Sequence, residues 1–369
     1  MNVGNHFTDT RARHIRDILR LLWQNQLGLS RAELARRVEL SRPAISNITQ
    51  QIIDWGLVEE SEMTASGGGR PGTRIRIVDS AYQILGLSIG SSHIQVQSMS
   101  LLGRIHDEKR IEMDCVNCPE DSIEALKRLS AQVIQEKIPL LGVGLSAPCP
   151  VNKQQLNSKI LPKWKGIDLS KRLRDHFQTP VFIDNDANLG ALGELWWGHG
   201  KDLSSLLFVK LGTGIGAGVI NERQLIRGHH GFAGEIGHTY LRGATLCRCG
   251  KNGCLEAYVG AAAIKDRLQA SSDKTLGMQS IATDLSSSLV SLLNVLNPQG
   301  IILWGDIVQG DPSFITALKA EVATKAKWAS IDNNLIKVSS IPSIIAMGAS
   351  TLVLEYALNN PSLFIQPTL

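Results

Sequence analysis

No apolar stretch of this chain approaches the ~20 residues that a membrane-crossing helix needs, so no such helix is expected. Met1 to Asp9 lack a basic start followed by an apolar core, so no secretory signal is expected there. No Gly-x-x-x-x-Gly-Lys-Ser/Thr occurs, and the run from Gly212 does not fit Gly-x-Gly-x-x-Gly. The usual phosphate-loop and dinucleotide sites are therefore not expected. Excess charge is also small: a net +4 does not by itself imply nucleic acid. Its distribution says more, because residues 1–80 hold arginines but no lysine, and 40–53 and 63–78 hold no acid. Cysteine is scarce, six in 369 residues. What remains is 43 % hydrophobic and 20 % charged, the composition of an ordinary globular chain long enough for two or three domains.

Half of those few cysteines fall together. His238, Cys247, Cys249 and Cys254 share one short stretch, with Gly250 and Gly253 where a tight knuckle has to turn. One imidazole and three thiols form a common tetrahedral zinc set, and thiols kept as ligands suit a reducing cytoplasm. The competing reading, three buried free thiols, requires chance clustering. A nucleic-acid finger is excluded by spacing, since finger ligands come as two pairs separated by a dozen or more residues. The zinc is therefore expected to be structural. Glu235 and Glu256 bracket the loop, and a metal-stapled loop edged by acceptors makes a rigid platform for a polyhydroxylated ligand. Cys115 and Cys118 have metal spacing but lack partners and glycines, and are taken as incidental.

The N-terminal region reads as small helices. Arg11 to Gln26 carries Ile15, Ile18, Leu19, Leu22 and Trp23 at helical spacing, and Gly28 ends it. Ser30-Arg-Ala-Glu33 is a capping box opening a second helix, which buries Leu34 and Val38, with Leu40 following. Ser41-Arg-Pro opens a third, roughly 42–55, with Ile45, Ile48, Ile52 and Trp55 on one face. The other face shows Arg42, Ser46, Asn47 and Gln50, side-chain types that read base edges in a major groove. Leu57–Glu60 and Thr73–Val78 read as a hairpin whose connection, Gly67 to Gly72, would carry Arg70 toward a minor groove. The pattern is a winged helix-turn-helix that binds double-stranded DNA. A helical module for protein contact is the alternative.

From about residue 84 the texture becomes α/β. Strands are expected at Ile84–Gln97 (two, around Gly-Ser-Ser), from Leu141, from Val181 into a polar tip at Asn188, and from Leu206 through a glycine turn. Together Asn185-Asp-Ala-Asn188, Leu211-Gly-Thr-Gly-Ile-Gly-Ala-Gly218, Gly234-Glu-Ile-Gly-His238 and Cys247 to Glu256 resemble the ROK family of repressors, open reading frames and sugar kinases. The N-terminal extension resembles its repressor branch, typified by the xylose and N-acetylglucosamine repressors. The resemblance implies an actin-like, sugar kinase/ribonuclease H-like two-lobed fold. The winged helix would occupy 1–80 and the sugar-binding domain 81–369. Its first lobe would be about 81–190 plus a C-terminal helix at 345–358, and its second about 191–344. It further implies that Asn185, Asp186, Glu235, His238 and Glu256 bind sugar hydroxyls, with His238 serving zinc through its other ring nitrogen. In kinase members the residue matching Asp186 is the general base.

Two of three nucleotide elements depart from the kinase pattern. Where kinases carry Asp-x-Gly-Gly-Thr this chain has Ser88-Ile-Gly-Ser-Ser92, and the usual adenosine-contacting Gly-Gly reads Trp304-Gly305. The resemblance thus implies a non-enzymatic, cytoplasmic, DNA-binding repressor of carbohydrate-metabolism genes with a sugar effector. By two-fold operator symmetry it would be a homodimer or homotetramer. The alternatives are a ROK-type ATP-dependent sugar kinase carrying a DNA-binding extension, and a repressor answering to a protein partner.

Overall fold

A computed structural model describes residues 3–62, 73–152, 154–156, 161–271, 273–328, 332 and 334–365. Three helices open the chain: α1 (Val3–Gln24), α2 (Arg31–Arg37) and α3 (Arg42–Asp54). Helix α1 begins earlier than the apolar spacing from Arg11 suggests and stops two residues sooner than Gln26. The capping box is present in full: Ser30 Oγ accepts from the Glu33 N–H, and the Glu33 carboxylate accepts from the Ser30 N–H at 2.8 Å. Ser41 caps α3 without the return bond, its Oγ accepting from the Ala44 N–H at 3.4 Å, with Pro43 in the first turn. Strands β1 (Val58–Glu62) and β2 (Thr73–Ile77) pair antiparallel. The wing that joins them, Arg70 included, lies outside the described residues.

A five-stranded sheet follows, built from β3 (Gln83–Ile89), β4 (His93–Ser100), β5 (Ile105–Glu112), β6 (Leu140–Ala147) and β9 (Val181–Asn185), in the order β5-β4-β3-β6-β9. Helices α4 (Pro119–Val133) and α5 (Leu169–Phe177) cover one face. A short hairpin of β7 (Val151–Asn152) and β8 (Gln155–Leu156) leaves the end of β6. Helix α6 (Asp186–Trp197) then leads to a second five-stranded sheet: β10 (Leu206–Leu211), β11 (Ile215–Asn221), β12 (Gln224–Ile226), β13 (Gly300–Trp304) and β14 (Ile336–Val338), in the order β12-β11-β10-β13-β14. Helices α7 (Glu256–Val259), α8 (Ala261–Ala270), α9 (Lys274–Leu296), α10 (Asp306–Gly310) and α11 (Pro312–Lys325) lie between β12 and β14 in sequence. The chain then runs into α12 (Ile344–Asn359).

Strand β10 shows why the layers stack as they do. It is apolar on both faces: Leu206 and Phe208 meet α6 and α12, while Leu207, Val209 and Leu211 meet α9 and α11. A strand covered on both sides reads as a continuous apolar run, not an alternating one. Helices α6 and α12 therefore form a shared middle layer, one sheet on either side. They approach without side-chain cushions. A Cβ on Gly144 of β6 would lie 1.8 Å from the Ala349 carbonyl oxygen of α12, and one on Gly348 would lie 1.7 Å from that of Leu189 in α6.

The N-terminal head is not a bead on a string. Its core (Ile18, Leu22, Ile45, Ile52, Leu57, Ile75) runs without a break into Tyr82, Leu101, Leu141, Leu354, Leu358 and Phe364. The Trp23 indole N–H donates to the Leu101 carbonyl at 2.7 Å, and the Tyr82 hydroxyl to that of Phe364 at 2.6 Å. The C-terminal end of α12 and the turn after it thus support the head. Among the described residues no helix is long and apolar enough to cross a membrane.

Candidate functional site

The metal loop leaves a turn of 3-10 helix at Ile236–His238 and folds back on itself, Cys254 opposite Tyr240 and Asn252 opposite Leu246. At Gly253, φ is 79° and an added Cβ would fall 2.4 Å from the Tyr240 ring, so only glycine fits this knuckle. His238, Cys247, Cys249 and Cys254 bring their ligand atoms within 4.8 Å of one another. His238 Nδ1 lies 3.7 Å from the Cys247 Sγ, and the Cys249 and Cys254 sulfurs lie 3.7 Å apart. Burial and the neighbouring thiols push the Cys254 thiol up to about 12. One imidazole and three thiols so placed could hold a metal ion, whose charge would favour the thiolate forms. Cys115 is buried, and its thiol points at the His93 carbonyl oxygen, away from any such cluster.

Beside this loop lies a cleft between the two sheets, and all five sequence-predicted sugar residues line it: Asn185, Asp186, Glu235, His238 and Glu256. Asn185 ends β9 and caps α6, its side-chain oxygen accepting from the Ala187 and Asn188 N–H groups at 2.9 and 3.3 Å. Its carbonyl is thereby engaged, which leaves the amide NH2 as the group for a ligand. Asn188, taken from the sequence as part of a polar tip, is inside α6 and donates to Asp184 at 2.9 Å. Asp186 is buried and paired with Lys210 of β10. Glu256 opens α7 and is paired with Arg248, from between two cysteines of the metal loop. Glu235 has no hydrogen-bond partner for its carboxylate among the described residues. Burial, then the charges of Asp186 and Glu256, raise it to about 7.

The lining also includes residues not foreseen as part of the sugar site, among them Ser91, Lys210 and Arg248. Lys210 did leave a signal, as the one charge in the otherwise apolar run Leu206–Leu211. Arg248 left little, since an arginine inside a metal loop is ordinarily solvated. Trp304 is the cross-strand neighbour of Lys210, and its indole turns into the middle layer with Ile302 and Phe208. Gly305, beside it, is demanded by packing: a Cβ there would lie 1.9 Å from the Leu211 carbonyl oxygen. A larger cavity of about 360 Å³ lies at the other end of the second sheet, near Trp328 and Lys337. Asp332 is its single carboxylate, so it lacks the convergent acceptors of the smaller cleft.

In the head, Arg42, Ser46, Asn47 and Gln50 are all exposed on one face of α3, while Ile45, Ile48 and Ile52 are buried on the other. Trp55 is only partly buried. Gln50 donates to Asp54 at 2.9 Å, whereas Arg42, Ser46 and Asn47 make no side-chain hydrogen bond among the described residues.

Residues 84–356 match the family model described as the ROK family. The xylose repressor of Caldicellulosiruptor bescii is 27 % identical over 93 % of this chain and 96 % of its own length. The glucokinase of Halalkalibacterium halodurans is 28 % identical over 64 % of this chain and 83 % of its own. A solved structure titled as a ROK family transcriptional regulator, homologue of the Escherichia coli MLC protein, superposes with a TM-score of 0.74 at 21 % identity. That likeness covers 96 % of this chain and all of the other, and it shows that the two share a fold.

Proposed function

The chain belongs to the ROK family, and from that premise we infer that it is a sugar-responsive, DNA-binding transcriptional repressor of carbohydrate-metabolism genes. One observation carries this reading. The head that exposes Arg42, Ser46 and Asn47 packs on the C-terminal end of α12, and α12 packs on α6, whose first turn sets Asp186 in the cleft of convergent hydroxyl acceptors. The extent of the likenesses supports it: the xylose repressor aligns over nearly the whole chain, the glucokinase over 64 % of it.

In this reading Asn185, Asp186, Glu235, His238 and Glu256 bind the sugar, discriminating hydroxyl orientations by their mix of donors and acceptors. His238, Cys247, Cys249 and Cys254 hold a structural zinc, which when bound supplies the positive charge that keeps three thiolates together. His238 Nδ1 faces the thiols, so Nε2 is the nitrogen left for a ligand hydroxyl. Arg42, Ser46, Asn47 and Gln50 enter the major groove, and Arg70 the minor groove. The protein works in the cytoplasm as a homodimer or homotetramer on a two-fold operator. Winged helix 1–80 and sugar domain 81–369 are its functional units.

Sugar control requires different affinities for the two lobe arrangements, because a ligand with equal affinity shifts nothing. Catalysis is not expected: Ser88 stands where the kinase loop carries its carboxylate, and Trp304 where the adenosine-contacting pair carries a glycine. The decisive experiment is a mobility shift on upstream DNA with a panel of monosaccharides. Failure to retard any DNA would reject the repressor reading. The glucokinase likeness keeps one rival in view, and sugar-dependent ADP formation near ~10 per second would establish it instead.

A further inference from the structure

Glu256 is where the metal loop and the cleft meet, and it is nearly saturated. Its Oε1 accepts from Arg248 Nε at 2.6 Å, and its Oε2 from Arg248 Nη2 and the Ile215 N–H, each at 3.0 Å. A carboxylate has about four lone-pair sites, and the Cys247 thiol, 3.9 Å from Oε1, lies on the fourth, so a ligand hydroxyl binds where one of these donors leaves. The partners are unequally held: the Glu256 side chain is 6 % exposed, that of Arg248 52 %. The guanidinium also covers the glycine turn, since a Cβ on Gly214 would lie 2.4 Å from Nη2. What is left of the cleft is about 50 Å³, far below the ~300 Å³ at which small-molecule pockets begin. Room for a monosaccharide comes from a shift of the lobes or of a side chain that lines the cleft. Arg248 is the one that can swing into solvent, because Lys210 and Asp186 are both largely covered.

We propose that Arg248 sets the specificity of the cleft, as a latch on Glu256 that a sugar displaces by offering hydroxyls on two adjacent carbons. A guanidinium meets a carboxylate with two parallel N–H donors. A gauche pair of neighbouring hydroxyls presents two O–H donors in the same sense, whereas a lone hydroxyl replaces only one of them. The latch rests on the sugar-sensor reading above. Because Arg248 lies between Cys247 and Cys249, its release also frees the metal loop from the cleft wall.

The test is calorimetry on the full chain purified with zinc, comparing the parent with Arg248→Met and Arg248→Lys. The probes are D-xylose, D-glucose, N-acetyl-D-glucosamine and 2-deoxy-D-glucose. Arg248→Met should bind the sugars the parent binds roughly ten-fold more tightly, and should discriminate less against 2-deoxy-D-glucose. Arg248→Lys should fall between, as a single-point donor. Binding by Arg248→Met of a probe that the parent ignores supports both the latch and the sensor. Unchanged or weaker binding by Arg248→Met overturns the latch alone. Silence of all three proteins toward every probe overturns the sensor reading and the latch with it. Zinc transfer to a chelator, without sugar, should be several-fold faster in Arg248→Met, and an unchanged rate overturns the tether between loop and cleft.

Discussion

Glu235 is the residue whose charge state matters most. Its carboxyl sits near 7 in the fold against an ordinary 4.5, so the folded protein holds that proton more tightly than the unfolded chain does. The resulting stability is fully present below 4.5 and is lost as pH rises to about 7. Glu235→Gln should remove this slope and be more stable than the parent at pH 8 by roughly 1–3 kcal/mol, as urea melts at pH 5 and pH 8 would show. At the metal loop, Cys249→Ser leaves three good ligands, and the expected outcome is a large fall in zinc per chain by elemental analysis. On α3, Arg42→Ala and Asn47→Ala should each weaken operator binding by about 1–3 kcal/mol in titrated mobility shifts. Gln50→Ala should do less, because its amide is already engaged by Asp54.

Elements were legible from sequence where the cause is local. The capping box at Ser30–Glu33, the proline in the first turn of α3, and the apolar period of α1 each need only near neighbours, and each is realised. The start of α1 was missed because residues before Arg11 carry no apolar period to mark it. Pairings across the fold were not legible. Lys210 meets Asp186 only because β10 and α6 are stacked, and the spacing of the two residues in the chain says nothing about that. The cap of α6 offers a check at this scale. Asn185→Ala removes the acceptor for two N–H groups and should lower stability by about 1 kcal/mol. Sugar binding should fall at the same time, because Asp186 rides on the first turn of that helix.

For the whole molecule, the shared core predicts that the head does not melt as a separate unit. Calorimetry should show no low-temperature transition belonging to residues 1–80. A chain beginning near residue 83 should be poorly soluble, since it would expose Leu101, Leu141, Leu354, Leu358 and Phe364. Trp23→Ala, which removes both an indole hydrogen bond and a large buried ring, should cost about 3–5 kcal/mol and release the head first, as limited proteolysis would register. The seat of α12 has a mechanical corollary. Main chain presses on main chain at Gly144 and Gly348, so there is no compliant padding to soak up a small slide of the neighbouring helix. In the repressor reading such a slide would be carried along α12 like the travel of a pushrod, whose far end bears on the head.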